Sequence, residues 1–149
     1  MSNRDEKFAK AGYRLSLDKT SLDLDVIHAL LSESRWAAGI SRERVQRSID
    51  HSLCVGLYHE QRQVGFARLV TDYATFGYLC DVIIASAHQG QGLGRWLCAA
   101  LLAEPDVQQL RRILLATSTA GWLYEKLGFT AVNQPDFIWQ LHRPDIYQQ

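Results

Sequence analysis

The chain has 149 residues, and its 16 Lys and Arg balance its 16 Asp and Glu, so its formal charge is zero. This length is typical of one domain with a core of its own, and we expect a single domain over residues 1–149. With 47% hydrophobic and 21% charged residues, the composition is globular and excludes a disordered chain. A neutral chain has no field that attracts a polyanion, so we expect no nucleic-acid partner.

The sequence shows no targeting segment, membrane segment or metal-binding pattern. The first ten residues are mostly polar and charged, and no stretch approaches the ~20 apolar residues that span a bilayer. Cys54, Cys80 and Cys98 are widely spaced in apolar stretches, and the histidines are scattered. This pattern favours buried reduced thiols over a disulfide or a zinc site. We therefore expect a cytoplasmic protein with no metal and no membrane partner.

The first half of the chain predicts a strand, two helices and a hairpin. Alternation predicts a strand over 13–17, and apolar residues at i, i+4 spacing predict an amphipathic helix over 22–36. Ser41 is a plausible N-cap for a second helix over 41–50, and the intervening loop carries Trp36. Two β-rich runs, 53–59 and 63–71, flank a turn at 60–62 and predict the hairpin.

The second half of the chain predicts further strands and helices, with a glycine-rich loop between a strand and a helix. Aromatic and β-branched residues predict a central strand over 75–85, which leads into the glycines and then a helix that Pro105 ends. A strand is predicted over 112–117 and a helix over 119–127, with Gly128 just after it. Residues 129–132 and 137–142 predict two closing strands. This order indicates a mixed α/β fold around one sheet.

The strongest local signal is the run of residues 88–95, HQGQGLGR, between a strand and a helix. Glycines let the backbone turn sharply and approach a ligand, and the first turn of a helix offers unpaired N–H groups. Together they form a cradle for a pyrophosphate. The Gly-Lys-Ser/Thr end of a P-loop is absent, and the spacing G-x-G-x-G differs from the dinucleotide fingerprint. At this point the alternative that the loop is only a tight connection between a strand and a helix, without a ligand, stays open.

Two motifs in order carry a family resemblance. Gln89-x-x-Gly92-x-Gly94 is similar to the Q/R-x-x-G-x-G/A signature of the GCN5-related N-acetyltransferases, the GNAT superfamily. Residues 120–129, AGWLYEKLGF, resemble that family's second signature, A-x-x-L-Y-x-x-x-G-F. The resemblance covers all the predicted helices and strands in their order along the chain, from about residue 13 to 142. It implies the GNAT fold, in which helices flank a mixed sheet and two neighbouring parallel strands splay apart.

The resemblance also implies a binding site for acetyl-CoA as co-substrate. Pantetheine would lie in the gap between the splayed strands, on the backbone of Val82 and Ile84. Where the family often has an asparagine that contacts pantetheine, this chain has Thr117, whose shorter hydroxyl lacks the two fixed amide donors. The pyrophosphate would lie on the loop, with Arg95 as a nearby cation. The loop positions implied are Gln89, Gly90, Gln91, Gly92, Leu93, Gly94 and Arg95.

Acetyl transfer to an amine needs a polarised carbonyl, an acid for the departing thiolate and a base for the amine. Backbone N–H groups near Ile84 can meet the oxyanion, and Tyr124, at the tyrosine of the second signature, is the candidate acid. For the base, two residues remain candidates, and ordered water is a further alternative. Asp81 lies in an apolar strand and is either bonded structurally or directed into the cleft. Asp72 ends the preceding strand.

The predicted function is an N-acetyltransferase that transfers the acetyl group directly, in a ternary complex, to a primary amine of a small molecule or a protein. The acceptor would lie near the Trp36 loop and the turn after Asp72. An acyl-CoA-binding sensor or scaffold without turnover is the alternative, and a nucleotide-binding module is a third. Family members are often dimers, and residues 137–142 supply a candidate apolar strand for a homodimer interface.

Overall fold

A computed structural model describes residues 3–148 of the chain. It contains a five-stranded sheet in which the strands lie side by side in chain order. β1 to β4 pair antiparallel, whereas β5 pairs parallel to β4, so the sheet is mixed, as the sequence predicts. The strands are β1 Tyr13–Ser16, β2 Leu53–His59, β3 Arg62–Thr71, β4 Phe76–Ile84 and β5 Arg112–Leu114.

The helices flank the sheet, and side-chain caps define where two of them begin. Asp23 accepts a hydrogen bond from the N–H of Val26, and Ser41 accepts one from the N–H of Arg44. Among residues 3–148 no helix is long and apolar enough to cross a membrane. The helices are α1 Asn3–Lys10, α2 Leu24–Ser32, α3 Arg42–Asp50, α4 Leu93–Leu102, α5 Pro105–Gln108 and α6 Gly121–Glu125, with 3₁₀ turns at Lys19–Ser21, Ser86–His88 and Ile146–Gln148.

The described residues bury two apolar clusters. One contains Leu57 of β2 and Leu97 of α4, both fully buried. The other joins α2 and α3 to the sheet through Ile27, Val45 and Phe66. Burying a side chain of this size contributes about 1.5–3 kcal/mol, so these clusters hold the helices on the sheet. The sheet is thereby a rigid support for the loops at its ends.

β4 and β5 run together for a short distance only. Their pairing extends from Phe76 with Arg112 to Tyr78 with Leu114, although β4 continues to Ile84. No further pairing between the two strands follows in the described chain. The second half of β4 therefore faces a gap on that side instead of a strand. This is the splayed arrangement that the family resemblance implies, and the predicted fold is confirmed.

The two strands predicted near the carboxyl end, 129–132 and 137–142, are wrong. Neither stretch has regular secondary structure, and every residue from 130 to 146 is exposed. The alternating pattern describes a segment able to form a strand, but a strand needs a neighbouring edge, and this segment pairs with none in residues 3–148. The chain returns to the α2–α3 side at Tyr147, whose carbonyl oxygen lies 2.7 Å from the position of a Cβ on Gly39.

Other differences concern helix ends and one unpredicted helix. The helix predicted over 22–36 covers 24–32, and Pro105 begins α5 after α4 has ended at Leu102. α1 was not predicted, because its sequence is mostly charged. It is held by the burial of Phe8 and by a hydrogen bond from the Trp96 indole to Asp5. The hairpin agrees closely, since β2 covers 53–59 and β3 begins at Arg62.

Candidate active site

The loop between β4 and α4 has the backbone conformation that an anion site requires. Gly90 and Gly92 have φ angles of +81° and +85°, which L side chains rarely adopt. Beyond its chain neighbours, no described atom lies within 4 Å of a Cβ placed on Gly90, so the loop is open there. The side-chain amide of Gln89 donates to the carbonyl of Ile84 at 2.9 Å and fixes the loop to the end of β4. Gln91 faces Tyr13, to whose hydroxyl it donates at 3.3 Å.

The start of α4 presents hydrogen-bond donors at the same loop. Gly92 is the N-cap, no side chain caps the helix, and its first helical bond runs from the N–H of Trp96 to Gly92. The N–H groups of Leu93, Gly94 and Arg95 therefore point outward at the positive end of the helix. The Nε of Arg95 is buried and has no hydrogen-bond partner within the described chain. These donors fit a phosphate group.

A cavity of about 370 Å³ opens between this loop and α6. Its walls come from loop residues between 88 and 95, from Ile84 at the end of β4, and from Trp122 and Leu123 on α6. The donors at the start of α4 thus border a concave space that is partly open to solvent. A concave site with a few convergent polar groups is typical of a small-molecule ligand.

Tyr124 lies in a second cavity, of about 250 Å³, on the other side of α6. Residues 113–117, α6 and residues 129–132 line this cavity. The ring packs edge-to-face on Phe129, with 5.8 Å between the ring centroids. Burial, assisted by the nearby Cys98, raises the pKa of Tyr124 to about 12. The phenol therefore holds its proton at neutral pH and is able to donate it.

Thr117 borders the Tyr124 cavity, and its hydroxyl also has a local role. The Oγ1 accepts hydrogen bonds from the N–H of Ala120 at 3.0 Å and of Thr119 at 3.4 Å, and so holds the turn into α6. Its O–H remains available as a donor. Val82 and Ile84 lie on the part of β4 that faces the gap, and their side chains pack on the apolar core. Both residues are only partly buried, and the carbonyl of Ile84 is the one that accepts from the Gln89 amide.

Asp81 is buried at 5% exposure and forms an ion pair. It lies directly opposite Arg68 of β3, whose Nε donates to Oδ2 at 2.8 Å. The indole Nε1 of Trp36 donates to Oδ1 at 2.9 Å. The same guanidinium donates to the Oγ of Ser52 at 3.1 Å and to the Sγ of Cys80 at 3.0 Å. Each carboxylate oxygen thus has a donor, so the geometry favours a positioning role for Asp81 over that of a base.

Trp36 is fixed by this network on β4. Its indole N–H is bound to Asp81, three residues beyond the last β4–β5 pair, while the residue stays 55% exposed. Tyr78 and Val70 face each other across β3 and β4 nearby and are also exposed. Sequence reasoning missed Arg68. The signal for Arg68 is a cation within the otherwise apolar stretch 64–70.

Asp72 lies in the turn between β3 and β4. Its carboxylate accepts from the hydroxyl of Thr75 at 2.6 Å and from the N–H groups of Thr75, Ala74 and Phe76. These hydrogen bonds, led by that of the Thr75 hydroxyl, hold the pKa of Asp72 well below its usual range. The carboxylate is engaged in forming the turn, and the structure does not bring it to the cavity that Tyr124 lines.

The loop and Arg95 line one cavity, at the end of β4, and Tyr124 lines the other, beside β5. α6 borders both cavities, through Trp122 and Leu123 on one side and Tyr124 on the other. A mixed sheet that opens beside an anion-binding loop and a protonated tyrosine defines an acyltransferase of the kind that the two sequence motifs indicate.

Comparison with known proteins gives the family directly. Residues 50–131 match the acetyltransferase (GNAT) domain. A protein of solved structure from Xanthomonas campestris pv. campestris, described as belonging to the GNAT family, is 44% identical with a TM-score of 0.87, over 92% of this chain and 97% of that protein. A Gibberella zeae protein named as an acetyltransferase is 33% identical, over 81% of this chain and 80% of its own. A rice protein named serotonin N-acetyltransferase 2, chloroplastic, is 29% identical over 90% of this chain and 68% of its own.

The chain therefore belongs to the GNAT family and is an N-acetyltransferase. The family takes its acyl group from acetyl-CoA and gives it to amine acceptors.

Proposed function

We propose that this chain transfers the acetyl group of acetyl-CoA directly to a primary amine while both substrates are bound. The observation that carries the proposal is that β4 separates from β5 beyond Tyr78 and leads into the glycine loop, while α6 lies between the cavity of that loop and the cavity of Tyr124. α6 thus has the phosphate donors on one side and the proton donor on the other. A long, thin acyl donor with a phosphate-rich head suits that arrangement.

Acetyl-CoA would bind mainly to backbone groups. The N–H groups of residues 89–95 and the unpartnered Nε of Arg95 would hold the pyrophosphate. Pantetheine would follow the free edge of β4 at Val82 and Ile84, with the Thr117 hydroxyl at the far wall. Because these donors are mostly peptide groups, a chain with zero net charge is able to hold an anionic ligand.

The reaction then needs few side chains. The amine nitrogen attacks the thioester carbonyl carbon, an N–C bond forms, and backbone N–H groups near Ile84 stabilise the oxyanion. The C–S bond breaks as Tyr124 donates its proton to the departing thiolate. The amine loses its proton to water in the open cleft, and Tyr124 regains a proton from solvent. The products are the N-acetyl amine and coenzyme A.

For the acceptor, we propose an amine on a small aromatic or apolar body. Trp36 presents an exposed, immobilised indole at the acceptor side, and Tyr78 lies on the neighbouring sheet surface. The carboxylates of Asp81 and Asp72 are both engaged, so they provide no acidic pocket for a polycation. The relative named as a serotonin N-acetyltransferase, whose name specifies an aromatic amine, supports this choice.

A panel of matched amines tests the proposal through the release of coenzyme A thiol. We would compare 2-phenylethylamine, 2-cyclohexylethylamine, spermidine and a lysine peptide. We expect acetylation of the first two and weak use of the others. Trp36→Ala should raise the KM for 2-phenylethylamine by about 2- to 10-fold, since aromatic contacts contribute ~0.5–1.5 kcal/mol. Tight acetyl-CoA binding with no thiol release on any amine would instead support the sensor alternative.

A further inference from the structure

Three side chains beside the glycine-rich loop form a hydrogen-bonded network that the proposed function does not use. We call residues 88–95 the phosphate loop. The hydroxyl of Tyr13, on β1, lies 2.7 Å from Nδ1 of His88, and the side-chain amide of Gln91 donates to the same hydroxyl at 3.3 Å. His88 is half-buried and lines the loop cavity. The network therefore joins the phosphate loop to a strand that lies 75 positions earlier in the chain.

Tyr13 is held rigidly by its own surroundings. It is 7% exposed, and the ring of Phe8, from α1, packs edge-on against it with 6.2 Å between the centroids. The ring of His59, its partner across β1 and β2, lies at 4.5 Å, and Nε2 of His59 donates to the carbonyl of Ala11 at 3.1 Å. A buried ring with these contacts has little rotamer freedom, so the Tyr13 hydroxyl is a fixed point for the loop.

The direction of each hydrogen bond follows from the chemistry of the groups. The carbonyl of His88 only accepts, so the atom of the Gln91 amide that lies 3.3 Å from it is the nitrogen. The same nitrogen donates to the Tyr13 oxygen, which leaves the hydroxyl proton for Nδ1 of His88. Because Nδ1 then accepts, the neutral imidazole carries its proton on Nε2. Tyr13 thus fixes both the ring orientation and the tautomer of His88.

The phosphate loop needs such anchors because of its glycines. Gly90 and Gly92 have positive φ angles, and a free glycine samples more backbone conformations than any other residue. Holding both in one conformation costs conformational entropy, which lowers ligand affinity unless the protein orders the loop beforehand. The bond from Gln89 to Ile84 anchors the loop to the end of β4, and Tyr13 anchors it on both sides of Gly90.

We propose that Tyr13 is a positioning residue for the coenzyme A site. Its hydroxyl holds His88 and Gln91, so the loop N–H groups have the conformation that receives the pyrophosphate before the ligand binds. This role rests on the proposed acetyl-CoA site and adds to it a residue that acts through two loop residues. Since the loop serves the phosphates, Tyr13 should affect the binding of coenzyme A and not that of pantetheine.

Calorimetry of Tyr13→Phe, which keeps the ring and removes the hydroxyl, tests this role. We expect the dissociation constant of coenzyme A to rise by about 3- to 10-fold, the scale of one hydrogen bond, and that of pantetheine to stay within about two-fold. Tyr58→Phe is the matched control. Tyr58, on β2, is 3% exposed, and its hydroxyl donates to the carbonyl of Ser21 at 2.8 Å, so its loss should leave both constants unchanged. Urea titration checks that both variants fold.

Two further measurements show whether the hydroxyl acts through His88. In Tyr13→Phe/His88→Leu, coenzyme A affinity should fall no further than in His88→Leu alone, because both changes break the same bond. Nitrogen NMR at alkaline pH should show the Nε2–H tautomer of His88 in the unaltered protein and a mixture of tautomers in Tyr13→Phe.

Several results would overturn the role of Tyr13. Unchanged coenzyme A affinity in Tyr13→Phe is one, and equal losses for coenzyme A and pantetheine are another. Additive losses in the double variant, or the same His88 tautomer with and without the hydroxyl, would also contradict it. If the unaltered protein binds no coenzyme A, the proposed function itself fails, and the first titration distinguishes that failure from the others.

Discussion

The buried pair of Asp81 and Arg68 gives the sharpest test of the network that holds Trp36. Their side chains are 7% and 13% exposed, and the carboxylate also accepts from the Trp36 indole. Asp81→Ala leaves the guanidinium buried with only Ser52 and Cys80 as partners and leaves the indole N–H with none. Breaking such a pair from one side costs about 3–5 kcal/mol, because an uncompensated charge remains buried.

For a chain of this size, 1 kcal/mol lowers Tm by about 2–4 °C, so Asp81→Ala should lower Tm by about 6–20 °C. Urea titration gives the free energy of unfolding independently. The double variant Arg68→Met/Asp81→Leu removes both charges and should recover most of the loss. A loss below about 1 kcal/mol in Asp81→Ala would refute the buried pair.

A second substitution of Asp81 distinguishes a positioning role of this residue from a role as general base. Asp81→Asn keeps the size of the side chain and one oxygen acceptor, so we expect kcat within a few-fold of the unaltered enzyme and a raised KM for the amine. If Asp81 were the general base, its loss would lower kcat by about 100-fold or more and remove a limb of the pH profile. Steady-state kinetics with a confirmed acceptor distinguish the two.

The remaining predictions concern the acetyl-CoA site and the proton transfers. Arg95→Met should weaken coenzyme A binding by about 10- to 100-fold, because a charge-assisted hydrogen bond is lost, and should leave pantetheine binding unchanged in calorimetry. Gly92→Ala should lower the free energy of unfolding, measured by urea titration, by ~1–2 kcal/mol, because the φ of Gly92 is +85°. Gly94→Ala should not lower it in this way, because Gly94 has no positive φ. Asp72→Asn should leave kcat and its pH dependence between about pH 6 and 9 unchanged, because the carboxylate serves the turn. As Tyr124 has a raised pKa of about 12, kcat should show no alkaline decline up to about pH 10.

Local signals in the sequence predicted the part of the fold that builds the donor side. Gly90 and Gly92 mark a strand-to-helix turn because glycine readily adopts the positive φ angles found there, and Tyr124 follows from a motif on one helix. The hairpin of β2 and β3 is likewise encoded by adjacent residues. Each of these features depends on neighbours along the chain, so a sequence pattern was sufficient.

The features that the sequence did not predict depend on contacts between distant residues. Asp81 meets Trp36 and Arg68 across 45 and 13 positions, so the sequence left open whether it was paired or free. α1 is charged and is held by Phe8 against the rest of the protein. The pattern of residues 137–142 describes a segment able to form a strand, but pairing depends on a distant edge, and among residues 3–148 the segment pairs with none.

Tyr124→Phe tests the central claim most directly. With an acceptor confirmed in the amine panel, we would measure kcat at saturating acetyl-CoA and, separately, the dissociation constant of acetyl-CoA by calorimetry. In the proposed mechanism the phenol supplies the proton for the departing thiolate, so kcat should fall by about 100-fold or more, while acetyl-CoA affinity stays within two- to three-fold. An unchanged kcat in Tyr124→Phe would contradict the account.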